Sequence, residues 1–331
     1  MARKPPVIAV ILLLTAVLTI MLVAFAWPAA RTEPRDLPLG VAGPSAVTGQ
    51  ITTALNQNAP GAFEIHAYPD RAAAVEAIKH RDVYGAIVAG QAGPEILTAS
   101  ARGPVVAQVL TQMAGKLAAA ENRTPVVTDV VPLPPDDPRG AGLAAGALPL
   151  VLGGIIAAVA LTRLLPAGVR RIRGAVGFAI TGGLALAAVL QFWLGSLEGN
   201  YWANSGVIAF SIAATSVAIL GLEWLLGAAG LALGAATMML LGNPLSGLTS
   251  APEMLPTGWG TLGQLLPPGA AGTMLRAAAF FDGASILRPV LVLSAWLLGG
   301  LLLCAIGAAR SRSRTTAEKA TPSEPLTPVG V

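Results

Sequence analysis

Charge is scarce in this 331-residue sequence. Charged side chains make up 11% of it against 54% hydrophobic residues, with a mean hydropathy of +0.68, whereas soluble domains carry about 25% charge. That shortage excludes a water-soluble globule. Sulfur and imidazole are scarcer still. The single cysteine, Cys304, rules out an intrachain disulfide and lies inside an apolar run, where packing is its expected role. The two histidines stand apart, His66 on the polar face of a short strand and His80 near a helix C-terminus, so no metal or cofactor site is expected. There is no G-x-x-x-x-G-K-S/T phosphate loop, no H-E-x-x-H zinc helix and no G-x-S-x-G nucleophile elbow. Nothing therefore marks the chain as an enzyme. A net charge of +4 would suit a nucleic-acid partner, yet the arginines flank apolar stretches instead of gathering on one amphipathic face. They read as topology signals, and no nucleic acid is expected.

What is present is a series of long apolar runs. Val7 to Trp27 stands unbroken behind Arg3 and Lys4, long enough at 1.5 Å per residue to cross a hydrocarbon core of about 30 Å. It contains an A-x-A pattern at Ala24–Ala26, but it exceeds the usual signal-peptide core of about 7 to 15 residues. We read it as an uncleaved anchor, domain 1–28. Leu143–Leu161 and Ala175–Leu197 are the next two spans, and Arg163, Arg170, Arg171 and Arg173 place the loop between them in the cytoplasm. Glu198–Ser205 has no Lys or Arg and carries Tyr201 and Trp202, as a short outer loop does. Gly206–Gly242 is too long for one crossing and must fold back near Gly221–Gly227, which puts Glu223 at a turn instead of at costly bilayer depth. The G-x-x-x-G pattern Gly230–Gly234 suits close helix packing.

Asn243–Arg288 is apolar but broken by Pro256, Pro267 and Pro268 and carries Arg276 and Asp282, so short helices at Leu262–Leu266 and Ala270–Phe281, dipping into the outer leaflet or lying along its surface, are expected there. Pro289–Ala308 is the last span. Thr315–Val331, rich in Pro, Thr and Ser, is expected to be disordered. The fold class is thus a membrane all-α bundle of about six transmembrane helices. The five helices after the anchor occupy 143–309, followed by the tail 310–331, and both termini are cytoplasmic in the cell membrane.

Residues 29–142 differ in kind. Charges, prolines and short alternating segments give the order β-α-β-α-β-β-α, read as an extracytoplasmic α/β domain inserted between the first and second helices. Strands are expected at Leu39–Ala42, Phe63–Ala67, Tyr84–Ala89 and Ile96–Ala99, with room for a last one at Val126–Val131 before Pro132–Pro138, a stiff linker into the membrane. The sequon Asn122–Thr124 is a chance pattern. Arg far outnumbers Lys, and Ala and Gly abound, the bias of a GC-rich bacterial genome.

This layout, with the stretches Leu39–Gly43 (LGVAG), Tyr84–Val88 (YGAIV), Asn243–Gly247 (NPLSG), Pro252–Pro256 (PEMLP) and Leu266–Pro268 (LPP), resembles the type-2 ABC exporter permeases, in particular their phage-infection-protein-like branch. The resemblance implies a permease subunit that forms a homodimer in the lipid bilayer, is driven by a separate ATPase subunit and moves an apolar or amphipathic substrate. It implies a coupling loop at 162–173, with Ala167, Val169, Arg170, Arg171 and Arg173. The same arginines also serve as topology determinants facing anionic lipid. The broken segment is the candidate outer gate, with Asn243, Pro244, Pro252, Glu253, Pro256, Pro267 and Arg276. The competing reading is a non-transporting surface protein whose outer domain binds a ligand, an envelope partner or a phage.

Overall fold

The computed structural model describes residues 6–90, 93–120 and 124–320. Arg3, Lys4, the Asn122 sequon and the end of the tail lie outside them. The first helix, α1 (Val7–Ala30), has a mean hydropathy of 3.1 and none of that apolar stretch is buried. Burial begins only at Ala24, and Trp27 packs edge-on against Trp259 at 5.5 Å. An apolar helix left bare on all sides needs lipid or another chain to cover it.

The α/β domain follows with β1 (Leu37–Ala42), α2 (Ser45–Asn58), β2 (Phe63–Tyr68), α3 (Arg71–Lys79), β3 (Gly85–Gly90), β4 (Gly93–Thr98), α4 (Pro104–Ala120) and β5 (Val126–Asp129). The five strands form one sheet in the order β2-β1-β3-β4-β5, mixed in direction: β3 and β4 form an antiparallel hairpin, and the other neighbours are parallel. Parallel neighbours need crossovers, which α2, α3 and α4 supply. β1 lies between two parallel partners, so its Leu37, Leu39 and Val41 are fully buried. A side chain at Gly40 would meet the Ala86 Cβ at 2.9 Å, which is why that strand carries glycine there. Asp70 caps α3 by accepting from the Ala73 N–H at 2.8 Å.

The bundle consists of α5 (Ala141–Leu164), α6 (Val169–Ala188), α7 (Tyr201–Leu226), α8 (Ala228–Ala236), α9 (Trp259–Gln264), α10 (Pro267–Phe280) and α11 (Leu287–Ala320). With α1, the helices α5, α6, α7 and α11 make five that are long and apolar enough to cross a membrane. Two π-turns extend α6 and α8, at Val189–Trp193 and Thr237–Gly242. α7 is the central helix, 72% buried along its apolar stretch. It buries Asn204, Ser205, Ser211, Thr215 and Ser216, small polar residues that let neighbours come close. Glycines on those neighbours complete the fit: Gly183 lies against Ser205 and Ala209, and Gly300 against Ala218. After α7 the chain reverses at Gly227, whose φ of 63° favours glycine. Gly230 and Gly234 then seat α8 directly on α7.

Several expectations change here. Where a sixth crossing was expected, the chain forms a shorter apolar helix, Ala228–Gly242. The loop between α5 and α6 shrinks to four residues, 165–168, because Arg170, Arg171 and Arg173 are already helical. α11 runs on through Thr315 to Ala320, where disorder was expected. The Pro132–Pro138 stretch is packed: Leu133 and Asp137 are buried, and Asp137 accepts from the Ala141 and Gly142 N–H groups at 2.7 and 2.8 Å to cap α5. The α/β domain also shares its two cores with the broken segment, one taking in Phe281 and the other Ala251 and Met254.

Candidate functional site

The broken segment leaves the π-turn after α8, makes a short 3-10 turn at Pro252–Met254, and returns through α9 and α10 to α11. It holds its shape by backbone contact. A side chain at Gly260 would overlap the Pro252 carbonyl, and one at Gly263 the Leu245 carbonyl, so only glycine fits either place. α10 is buried along most of its length, with Pro267, Pro268 and Arg276 all inside. The segment is therefore sandwiched between the bundle and the α/β domain.

Polar contacts tie the two together. The Tyr84 hydroxyl donates to Glu253 Oε2 at 2.7 Å. Arg276 Nη1 donates to the Arg102 carbonyl at 2.8 Å and Nη2 to the Leu248 carbonyl at 2.7 Å. Arg81 Nη1 donates to the Thr273 carbonyl at 3.1 Å. Arg102 Nη1 donates to the Val83 carbonyl at 2.7 Å, and its guanidinium lies 3.8 Å over the Tyr84 ring. Ser285 Oγ adds a bond to the His80 carbonyl at 3.0 Å.

These residues line a cavity of about 490 Å³ between the domain and the segment. Its walls carry Arg35, Arg81, Arg102, Arg276 and Arg288. Against them stand two carboxylates, Asp36 and Glu253, and Arg35 is paired with Glu33 beside the wall, leaving an excess of two positive charges. Arg102 and Arg276 are 9% and 7% exposed. Arg81, Arg102 and Arg276 reach only carbonyl oxygens and aromatic rings, with no carboxylate at ion-pair distance among the described residues. The Nε of each is a buried donor without a partner. The electrostatics follow: burial first, and then the neighbouring Arg102 charge, push Arg81 down to about 10. Burial and the Glu253 carboxylate push the Tyr84 phenol up.

A second cavity of about 460 Å³ adjoins the first and shares Ser246 and Leu255 with it. Its walls are mainly apolar, including Phe25 and Pro28 of α1, Ala147 and Leu148 of α5, and Val105.

Of the predicted gate residues, Pro252, Glu253, Pro256 and Arg276 line the first cavity, and Asn243 and Pro244 line the second. Pro267 lies buried at the first position of α10, lining neither. At the opposite end of the bundle, Ala167, Val169, Arg170 and Arg173 are exposed. Arg171 is not part of that surface. It is 8% exposed and donates to Glu223 Oε2 at 2.9 Å and to the Leu165 and Thr162 carbonyls at 3.0 and 3.1 Å. Burial of this arginine needs a counter-charge, and Glu223 at the α7 turn supplies it.

Sequence reasoning missed Arg81 and Arg102. What marks the first is structural: Arg81 follows the end of α3 with φ 65°, a place where glycine usually ends a helix. Four non-glycine residues among those described have such left-handed backbone, and three of them, Asp36, Arg81 and Ser285, line the same cavity.

Compared with known proteins, the chain matches no family model, and neither a curated protein nor a solved structure matches it significantly.

Proposed function

We propose that this chain is the membrane subunit of an ABC-type exporter, moving an apolar or amphipathic substrate with ATP hydrolysis supplied by a separate ATPase subunit. The observation that carries the reading is the buried broken segment. At membrane depth, irregular backbone and short helices are tolerated only where protein covers them or where they line a cavity, as in the discontinuous helices of transporters. Here α9, α10 and the turns before them close one end of the bundle around two adjoining cavities.

In this reading the α/β domain is extracytoplasmic and both termini are cytoplasmic. The exposed Arg163, Arg170, Arg173 and Arg310 at the far end support that orientation. Ala167, Val169, Arg170 and Arg173 form the surface that meets the ATPase, while Arg171 braces it from within. The bare face of α1 is the surface for lipid or for the second subunit of a homodimer.

The test is co-purification of the full chain from its native membrane, with ATPase stimulation measured for wild type and for Ala167→Asp. Association that the substitution weakens at equal membrane abundance supports the reading. If no ATPase associates with either protein, the permease reading is wrong, and a surface protein binding ligand through its outer domain takes its place.

A further inference from the structure

We infer that the cavity walled by Arg81, Arg102 and Arg276 binds the oxyanion head of an amphiphile, with the apolar chain of that molecule lying in the adjoining cavity. The meaning of this ligand as cargo rests on the permease reading, while the binding itself does not.

Charge carries the first part. Burying a guanidinium without a counter-ion is costly, and proteins normally relieve it with a carboxylate, as Arg171 does with Glu223. Around the cavity that relief is missing. Arg102 and Arg276 are more than nine-tenths buried, and they and Arg81 donate only to neutral carbonyls. Glu253 is held by the Tyr84 hydroxyl and makes no ion pair with any of them. An oxyanion placed among three guanidinium groups would supply the missing charge and accept charge-assisted hydrogen bonds from planar forks suited to phosphate, sulfate or carboxylate.

Strain carries the second. Left-handed backbone at a non-glycine residue is strained and persists only where the surrounding structure holds it. Asp36, Arg81 and Ser285 all adopt it on the walls of this one cavity. Arg81 in particular stands where glycine would be free of strain, and its side chain reaches the segment at Thr273.

Adjacency carries the third. The apolar cavity shares Ser246 and Leu255 with the cationic one, so a single molecule with a charged head and an apolar chain would span both. Its outer wall is α1, which touches the remainder of the protein only through its last turns. That side faces the lipid phase when α1 spans the bilayer.

The experiment uses the full chain in maltoside micelles, with unfolding temperature read against three probes: dodecyl phosphate, dodecylphosphocholine and inorganic phosphate. Dodecyl phosphate is expected to stabilise saturably, while dodecylphosphocholine, with the same chain and no net charge, does not. Inorganic phosphate is expected to need a concentration at least about tenfold higher, since it forgoes the chain contacts. Arg81→Asn, which tolerates left-handed backbone, and Arg276→Gln should each raise the half-saturating dodecyl phosphate concentration about tenfold, the loss of one charge-assisted bond. If Arg276→Gln fails to fold, Arg81→Asn alone decides. Equal potency of inorganic and dodecyl phosphate overturns the amphiphile and leaves a free-anion site. Unchanged half-saturation in Arg81→Asn, or no saturable stabilisation, overturns the site itself. Retained binding without ATPase association refutes the permease reading alone, and the reverse result refutes this site alone.

Discussion

The bundle buries charge at both ends, and the two ends treat it differently. At the end away from the α/β domain, Arg171 meets Glu223 at 2.9 Å and spends its remaining donors on two carbonyls. That set is complete, and it ties α6 to α7 and to the end of α5. At the other end, Arg81, Arg102 and Arg276 line a cavity with two carboxylates, Asp36 and Glu253, and form an ion pair with neither; Glu253 is engaged by Tyr84. A closed pair locks helices together. An open cluster keeps electrostatic capacity for something else.

The largest effect expected from this contrast is all-or-none. In a Cys304→Ala background, a membrane-impermeant maleimide added to intact cells should label Asn58→Cys in α2 and spare Ala167→Cys at the opposite end. Labelling of Ala167→Cys alone would invert the two ends, and labelling of both would remove the membrane between them.

Next comes stability. Glu223→Gln leaves Arg171 buried without a counter-charge and should cost roughly 3–5 kcal/mol, read as a lowered unfolding temperature of the purified chain. Replacing both partners, Arg171→Met with Glu223→Leu, should recover most of it, because removing a buried pair together is often nearly neutral. Glu253→Gln should cost less than about 1.5 kcal/mol, the range of a single hydrogen bond. Equal losses at the two ends would show that both clusters are closed.

A smaller change is expected from Arg276→Gln without ligand. Two charge-assisted bonds disappear, but repulsion among the remaining arginines falls, leaving a net loss of about 1–2 kcal/mol. Faster proteolysis within 243–258 would register it, since Arg276 Nη2 holds the Leu248 carbonyl there.

The smallest effect belongs to the exposed rim of the α/β domain. Arg71 grips Glu95 with two bonds of 2.9 Å, and this contact, with help from Thr128, holds the Glu95 carboxyl below its usual range. A carboxylate whose folded value is depressed adds stability above the unfolded value and loses it as pH falls through the folded one. Arg71→Ala should therefore shift acid unfolding to higher pH. The pair is partly exposed, so the change stays below about 1 kcal/mol.

Much of the layout was legible because it rests on local pattern. The reversal after α7 was expected near Gly221–Gly227 and occurs at Gly227. The alternation of strands and helices between Leu37 and Asp129 follows the predicted order, and helices broken at Pro267 occupy the predicted stretch. What stayed hidden depends on contacts far apart in the chain. Arg171 and Glu223 are 52 residues apart, and Arg276 and Arg102 are 174 apart. Arg171 therefore read as a loop charge although it is a buried brace, and Arg102 drew no notice before Pro104. The packing of Phe281 into the sheet core was equally invisible, which is why the domain looked separable. Excised alone, it would expose the surface that Phe281, Ala251 and Met254 cover.

The two π-turns carry a consequence in terms of inheritance. Each amounts to one extra residue accommodated within a helix, at Val189–Trp193 after α6 and at Thr237–Gly242 after α8. Losing a single codon from either would let an ordinary α-helix re-form. Everything beyond would keep its register, whereas a deletion in the regular part of the same helices would turn it by about 100° and draw it back by about 1.5 Å. At the second turn, Asn243 and Pro244 would still face the apolar cavity they line after such a loss, and would rotate away from it after a deletion earlier in α8. The two stretches are thus where these helices can lose a residue in inheritance, although Gln191, bonded to Gly199 and Asn204, and Gly242, pressed against Pro268, hold their own places within them.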